Sequence, residues 1–356
     1  MGKGKPKELK ALVWDLDNTL WKGVLLEKDD LTLRAGIVET LKALDERGIL
    51  LSIASKNNHG DAMARLKQLG IDHYFLFPQI TWSAKSESLA SIKEALNIGM
   101  DTIAFIDDDD FERAEVQAAH PDLVVINSTD YWSDYTKLLG EPRFSPKYLT
   151  EDSRRRRLMY LESAQRDHIE AEYKGPKEEF LQSLEMRFVI SRATEADLQR
   201  AEELTVRTNQ LNSTGVTFSY EELDKLRRSN EHQLLICELT DKFGSYGKIG
   251  LALVETGREV WHLRLMLMSC RVMSRGVGTI FLSYIMQQAK EAGARFLADF
   301  IQTERNRMMY VSYKFSQFKE VESGENGRIV FENDLTNIQP FPKYVSVVTP
   351  STPREK

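Results

Sequence analysis

The sequence predicts an α/β protein with two domains, the first built on a parallel, doubly wound sheet. Three observations carry this. Between residues 11 and 126, short apolar runs alternate with amphipathic helical stretches. Polar residues capable of chemistry stand where those runs end, which is where open α/β sheets place their sites. From Met186 the periodicity changes to longer strands joined by short turns, which marks a second α/β domain. The expected layout is 1–140 for the first domain, 141–185 for a helical linker, 186–348 for the second domain and 349–356 for a tail.

The bulk properties agree. A chain of 356 residues has room for two ordinary domains. Hydrophobic residues make up 42% and charged residues 29%, normal for a soluble globular protein. The net charge of −6 argues against a general nucleic-acid or membrane surface. Two cysteines, Cys237 and Cys270, argue against a disulfide framework and suit a reducing cytoplasm, the expected location. The basic start, MGKGKPKELK, has no apolar stretch behind it and so does not read as a signal peptide. Pro6 stands where a myristoylation signal has Ser or Thr. No apolar run is long enough to span a bilayer.

The organising stretch is 11–20, ALVWDLDNTL. Its apolar half reads as a buried strand, and Asp15 and Asp17 follow at its carboxyl end. In extended chain, residues two apart begin on one face, so these carboxylates can share one cation and one phosphoryl group. Asp-x-Asp-x-Thr after a strand supplies three distinct functions, namely a nucleophile, an acid/base and a hydroxyl, Thr19, that braces the turn. A helix is expected at 35–47, where Ile37, Leu41 and Leu44 keep helical spacing and Gly48 stops it. Residues 49–54 form the next strand, ending in Ser55-Lys56-Asn57, which can hydrogen-bond phosphate oxygens. A helix at 61–69, a short strand at 74–77 and a helix at 86–96 follow. Lys85, just before that last helix, offers an ammonium that can neutralise phosphate. The strand at 102–106 runs into Asp107-Asp108-Asp109-Asp110, whose first two acids can complete a magnesium site. A helix at 111–119 and a strand at 123–126 close the domain.

Pro142 to Pro146 break the pattern. Residues 151–184 read as mostly helical, interrupted at Gly175-Pro176. The run Arg154-Arg155-Arg156-Arg157 is either a docking patch for an acidic partner or a solvated helix face. Then come a strand at 187–191, a helix at 195–205, and strands at 234–239 and 247–254 joined by a loop at 241–246. A strand at 260–268 precedes Arg275-Gly276-Val277-Gly278, which opens a helix through Lys290, and 296–301 is a core strand.

Four stretches together, Asp15 to Thr19, Ser55, Lys85, and Asp107-Asp108, resemble the motif set of the haloacid dehalogenase (HAD) superfamily of aspartate-nucleophile phosphotransferases. The resemblance implies a Rossmann-like domain, with Asp15 attacking phosphorus and Asp17 as general acid/base. It also implies Mg2+ held by Asp15, the backbone carbonyl of Asp17 and an acid of the last motif, Asp108 beside Asp107. Neither the gap at 20–34 nor that at 57–84 is long enough for a cap domain, which favours a large partner or a second domain as lid. The element order of the second half resembles the GNAT acyltransferase fold, whose Gly-rich turn holds coenzyme A pyrophosphate. Met273 stands where that motif usually has Gln or Arg, which weakens an acetyl-CoA-dependent reading, although the pocket can still take a phosphopantetheine arm.

DLDNTLWKG at 15–23, Ser55-Lys56-Asn57, IDDDDFER at 106–113, RTNQLN at 207–212 and SCRVMSRGVG at 269–278 closely resemble the FkbH-like proteins, in which a capless HAD domain is joined to a GNAT-like domain. Departures are Lys22, where Gly is common, and Asp109-Asp110, where Asn-Pro is common. That resemblance implies transfer of a glyceryl unit from 1,3-bisphosphoglycerate to the phosphopantetheine thiol of an acyl carrier protein, for polyketide extender units of the methoxymalonyl type. On this reading Cys270, beside Arg271 and near a helix start, carries the acyl group as a thioester, and His262 is its base. Cys237, mid-strand among apolar residues, reads as core. The alternative is a Mg2+-dependent phosphatase of a small phosphorylated metabolite with a C-terminal binding module.

Overall fold

The computed structural model describes residues 8–27 and 30–350. The basic start at 1–7 and most of the expected tail lie outside them. The chain divides into two compact units, 1–161 and 162–356, and the division falls inside a helix of the stretch expected as a linker.

In the first unit the elements run β1 (Ala11–Trp14), β2 (Trp21–Lys22), β3 (Thr32–Leu33), α1 (Ile37–Glu46), β4 (Leu50–Ser55), α2 (His59–Gln68), β5 (Gln79–Ile80), α3 (Lys85–Leu96), β6 (Ile103–Asp107), α4 (Asp110–Ala119) and β7 (Val124–Asn127). The sheet is parallel throughout, in the order β5-β4-β1-β6-β7. Its strands are apolar on both faces because both faces are covered. Leu12, Trp14, Leu51, Ile53 and Ile106 pack against α1 and α2. Ala11, Val13, Leu50, Ile103 and Phe105 pack against α3 and α4. β1 and β6 are neighbours in register, Trp14 beside Ile106, so the residues that follow them emerge side by side.

The expected strand at 74–77 is not one. Phe75 makes a single bridge to Leu51, and the chain turns at Phe77, whose φ is 50°. Pro78 follows with no N–H to donate, and the edge strand forms at β5 instead. The gap after the first motif holds the two-residue pair β2–β3, and no cap domain occupies it among the described residues.

The chain continues through α5 (Glu151–Arg154), α6 (Arg156–Glu172) and α7 (Lys177–Ser183). The arginine run is divided: Arg154 is exposed, whereas the next residues turn toward the first unit. Arg156 is buried with Nη1 donating to Gly48 O at 2.8 Å, and Arg157 Nε pairs with Asp45 at 2.9 Å.

The second unit contains β8 (Met186–Arg192), α8 (Leu198–Arg207), α9 (Tyr220–Arg228), β9 (His232–Asp241), β10 (Gly244–Thr256), β11 (Val260–Met268), α10 (Val277–Glu291), β12 (Arg295–Ile301), α11 (Arg307–Phe315), β13 (Lys319–Ser323), β14 (Arg328–Asn333) and β15 (Val345–Val348). These strands make one mixed sheet ordered β13-β14-β12-β11-β10-β9-β8-β15. Alternation along β9 divides the core: Leu235, Cys237 and Leu239 face the layer of α10, while Leu234 and Ile236 face α8 and α9. The loop expected at 241–246 shrinks to a hairpin turn between β9 and β10, in which Gly247 and Gly250 sit at irregularities of the ladder. Gly250 is required for packing, since a Cβ there would lie 2.6 Å from Cys237 Sγ.

β11 and β12 pair in parallel only over Val260–Leu263 with Arg295–Ala298 and then part. The segment 211–213 fills the opening. Met268 N donates to Leu211 O at 2.8 Å, Ser213 N to Met266 O at 2.9 Å, and Ile301 N to Ser213 O at 2.9 Å. Asn306 Nδ2 bonds both Asn212 O and Ile301 O, at 3.0 and 2.8 Å, and locks the insertion.

Candidate active site

The carboxyl ends of β1 and β6 bring together Asp15, Asp107 and Asp108, with α3 adding Lys85 from its first position. Lys85 Nζ lies 2.8 Å from Asp15 Oδ1 and 2.5 Å from Asp107 Oδ2, and all three residues are buried. Oxygens of Asp15, Asp107 and Asp108 all lie within 4.8 Å of one another. This is a hard-oxygen donor set of the kind Mg2+ takes, and the residues fit that ion.

Burial pushes the Asp15 carboxyl up to about 7, with Lys85 opposing the rise and Asp107 adding to it. Burial likewise raises Asp108, against the hydrogen bond from Thr19. The folded state thus keeps a proton on Asp15 that the unfolded chain has lost above its ordinary 3.8. Stability therefore falls as pH rises from about 4 through about 7, by about 1.4 kcal/mol per unit at most. Thermal melts of metal-free protein across this window are expected to show the decline, and Asp15→Asn to flatten it. A slope unchanged in Asp15→Asn would assign it to another group.

The Thr19 hydroxyl, expected to brace its own turn, bonds the end of β6 instead. Its Oγ1 donates to Asp108 Oδ1 at 3.0 Å and accepts from Asp108 N at 3.1 Å. Ser128 Oγ lies 3.3 Å from the same hydroxyl, and Tyr135 OH donates to Thr19 O at 2.9 Å. Neither Ser128 nor Tyr135 is marked by the sequence, because both lie beyond the last motif in a stretch without periodic pattern.

Asp17 is placed differently from its neighbours. Its Oδ1 accepts from Trp21 Nε1 at 2.8 Å and Leu25 N at 3.1 Å, and its Oδ2 from Asn57 Nδ2 at 3.0 Å. The carboxylate is not part of the acidic cluster, so any cation contact from this residue must come through its backbone. Asn57 also reaches Ser55 Oγ at 3.3 Å, and its own Oδ1 is a buried acceptor without a partner among the described residues. Lys56 is engaged elsewhere, its Nζ 2.6 Å from Glu112 Oε1.

In the second unit Cys270 is half-buried at the start of a 3-10 turn, Cys270–Arg275, that leads into α10. Gly276 follows with φ 75°, and a Cβ there would lie 2.7 Å from the Tyr344 hydroxyl. Cys237 is core. The structure does not bring His262 to Cys270. His262 stands near the other end of β11, six residues and roughly 20 Å from Met268 at the rise of a strand. Its Nε2 is 3.2 Å from Asp299 Oδ1 on β12, and Arg264 joins the same carboxylate at 3.0 Å. These two hydrogen bonds, working against burial, hold Asp299 at about 2. Arg271 Nη2 donates to Tyr246 O at 3.1 Å.

Residues 22–119 match the family model of haloacid dehalogenase-like hydrolases, and the first unit contains a domain of that kind. Among solved structures, the chain is similar to the N-terminal part of BF1531 from Bacteroides fragilis, described as containing a phosphatase domain complexed with Mg. The identity is 29% over 37% of this chain and 40% of that one, with a TM-score of 0.32. It is also similar to the ribosomal-protein-S18-alanine N-acetyltransferase of Escherichia coli (14% identity, 41% of this chain, 92% of that one, TM-score 0.31). A third is the GNAT domain of S. lividans PAT (16% identity, 40% and 88%, TM-score 0.33). No curated protein sequence matches the chain. Among the described residues, no helix is long and apolar enough to cross a membrane.

Proposed function

We propose that the first unit is a Mg2+-dependent phosphotransferase and that the whole chain loads a glyceryl unit from 1,3-bisphosphoglycerate onto an acyl carrier protein. The observation that carries the first part is the cluster of Asp15, Asp107 and Asp108 at the ends of two adjacent parallel strands, the first two buried, with buried Lys85 of α3 between them. Asp15 attacks phosphorus of the ester phosphate, forming an aspartyl phosphate as the alkoxide oxygen leaves with a proton. Water then hydrolyses the aspartyl phosphate and restores the carboxylate. Asp17 Oδ2, held by Asn57, is the group closest in sequence to exchange that proton. Lys85 offsets charge at the nucleophile. Asp15, Asp107 and Asp108, with the backbone of Asp17, would hold the ion, which would supply charge neutralisation at the phosphoryl group.

The carrier part rests on the sequence resemblance and on Cys270. The Cys270 thiolate attacks the acyl carbon of the mixed anhydride; a C–S bond forms, the C–O bond breaks and phosphate leaves. The phosphopantetheine thiol of the carrier then takes the acyl group by thioester exchange and returns the Cys270 thiol. A cytoplasmic setting, without nucleic acid or membrane, suits these substrates.

Intact-protein mass spectrometry tests both parts, with Mg2+, 1,3-bisphosphoglycerate and a phosphopantetheinylated carrier. A glyceryl-sized gain on the carrier is expected. Asp15→Ala is expected to leave a phosphoglyceryl-sized gain instead, and Cys270→Ala to leave none. Phosphate release with the carrier unchanged would support the second reading, a phosphatase with a C-terminal binding module. The pairing of His262 with Asp299 on β12 favours that reading, since it engages the residue expected as base.

A further inference from the structure

The segment after β3 supplies a cation that the chemistry above does not use. Arg34 N donates to Leu20 O at 3.2 Å, and its Nε donates to Asn18 O at 2.7 Å. Its guanidinium carbon lies 3.9 Å from the centre of the Trp132 ring. The side chain is therefore clamped between the Asp15–Thr19 turn and the loop that follows β7. Asn18 adjoins Thr19, whose hydroxyl is bonded to Asp108, and the charge of Asp108 acts on the guanidinium.

What this cation lacks is an anion. Among the described residues no carboxylate pairs with Arg34, and Nε alone of its side-chain nitrogens makes a hydrogen bond. Arg157 is matched by Asp45 and Arg113 by Asp110, while Arg47 and Arg65 spend their terminal nitrogens on carbonyl oxygens. Burial sets the Arg34 pKa below the ordinary arginine value, with Tyr135 and Asp108 acting against that shift. A guanidinium stays charged in either case. A fixed, planar fork with its terminal donors unspent is suited to a carboxylate or a phosphate.

We propose that Arg34 is a specificity-determining residue that grips a second anionic group of the substrate, so that the first unit selects phosphoesters bearing a further phosphate or carboxylate. This rests on the phosphotransferase reading of the same site. A tether for the turn alone would need only the Nε bond and the stacked ring. The unspent terminal nitrogens are what a substrate would use.

The test uses the full-length protein with Mg2+ and a matched pair of ligands, 3-phosphoglycerate and glycerol 3-phosphate, which differ by one carboxylate. Isothermal titration gives both affinities, and phosphate release is followed in parallel. The wild type is expected to prefer 3-phosphoglycerate, and Arg34→Gln to lose about tenfold of that preference. Arg34→Lys, which keeps the charge without the fork, is expected to retain part of it. Equal weakening of both ligands by Arg34→Gln would make Arg34 a brace for the turn and overturn the proposal. Unchanged affinities in the variant, or a wild type without preference, would also overturn it. An Arg34-dependent preference without any phosphate release would leave this assignment standing and remove the phosphotransferase reading instead.

Discussion

Asp15→Asn is expected to lower phosphate release at least about a thousandfold while the protein remains folded. The amide keeps the shape of the side chain but has no anionic oxygen to attack phosphorus. The fold should tolerate it, because Lys85 keeps its second partner, Asp107, at 2.5 Å. Release of phosphate from a reactive phosphoester by the two proteins is the comparison to make. A loss of less than about tenfold would mean that Asp15 only orients the site and that another group attacks. Loss of activity together with loss of near-UV circular dichroism would instead show a folding defect. Asp15→Glu, which restores the charge one methylene farther out, should then be measured.

Lys85→Met is expected to destabilise the metal-free protein by about 3–5 kcal/mol, the cost of leaving buried charge uncompensated. Burial works against the lysine charge, yet Asp15 and Asp107 hold its pKa above the ordinary value. Removing it leaves the Asp107 carboxylate buried against Asp15, which is driven further toward its protonated form. The urea midpoint at neutral pH should fall, and Mg2+ should recover part of the loss because the ion replaces the missing cation. A midpoint unchanged by the substitution would show that the acids are already protonated in the absence of Lys85. Recovery by Asp107→Asn in the Lys85→Met background would locate the strain in that pair.

Much of the first unit is legible in the sequence because its strands are buried on both faces. Such strands read as short apolar runs, and the residues after them fall at one edge of the sheet, which is why Asp15, Lys85, Asp107 and Asp108 can be grouped from the sequence alone. The role of Asp17 is not legible to the same depth. Spacing puts it beside Asp15, but its partners, Trp21, Leu25 and Asn57, come from the turn and from the end of β4. Residues 74–77 have strand composition, and only the backbone turn at Phe77 takes them out of the sheet. β2 and β3 are too short for any periodicity to show. His262 fails for a different reason. Alternation places it on β11 but cannot say that its partner is Asp299 on β12, and sequence nearness to Cys270 becomes the length of a strand in space.

The insertion at 211–213 has a consequence for traffic in the second unit. Two strands that part leave inner edges with unpaired donors and acceptors, and an extended ligand can normally add there as one more strand. Here those edges are already taken: Leu211 and Ser213 occupy the β11 side, and Ser213 O the β12 side. On its outer side β11 is paired with β10 from Gly250 onward. An extended ligand entering there therefore competes with the chain itself for the backbone positions at the parted end of β11. Strand addition would cost the displacement of a covalently tethered rival, locked by Asn306, whose local concentration no free ligand matches.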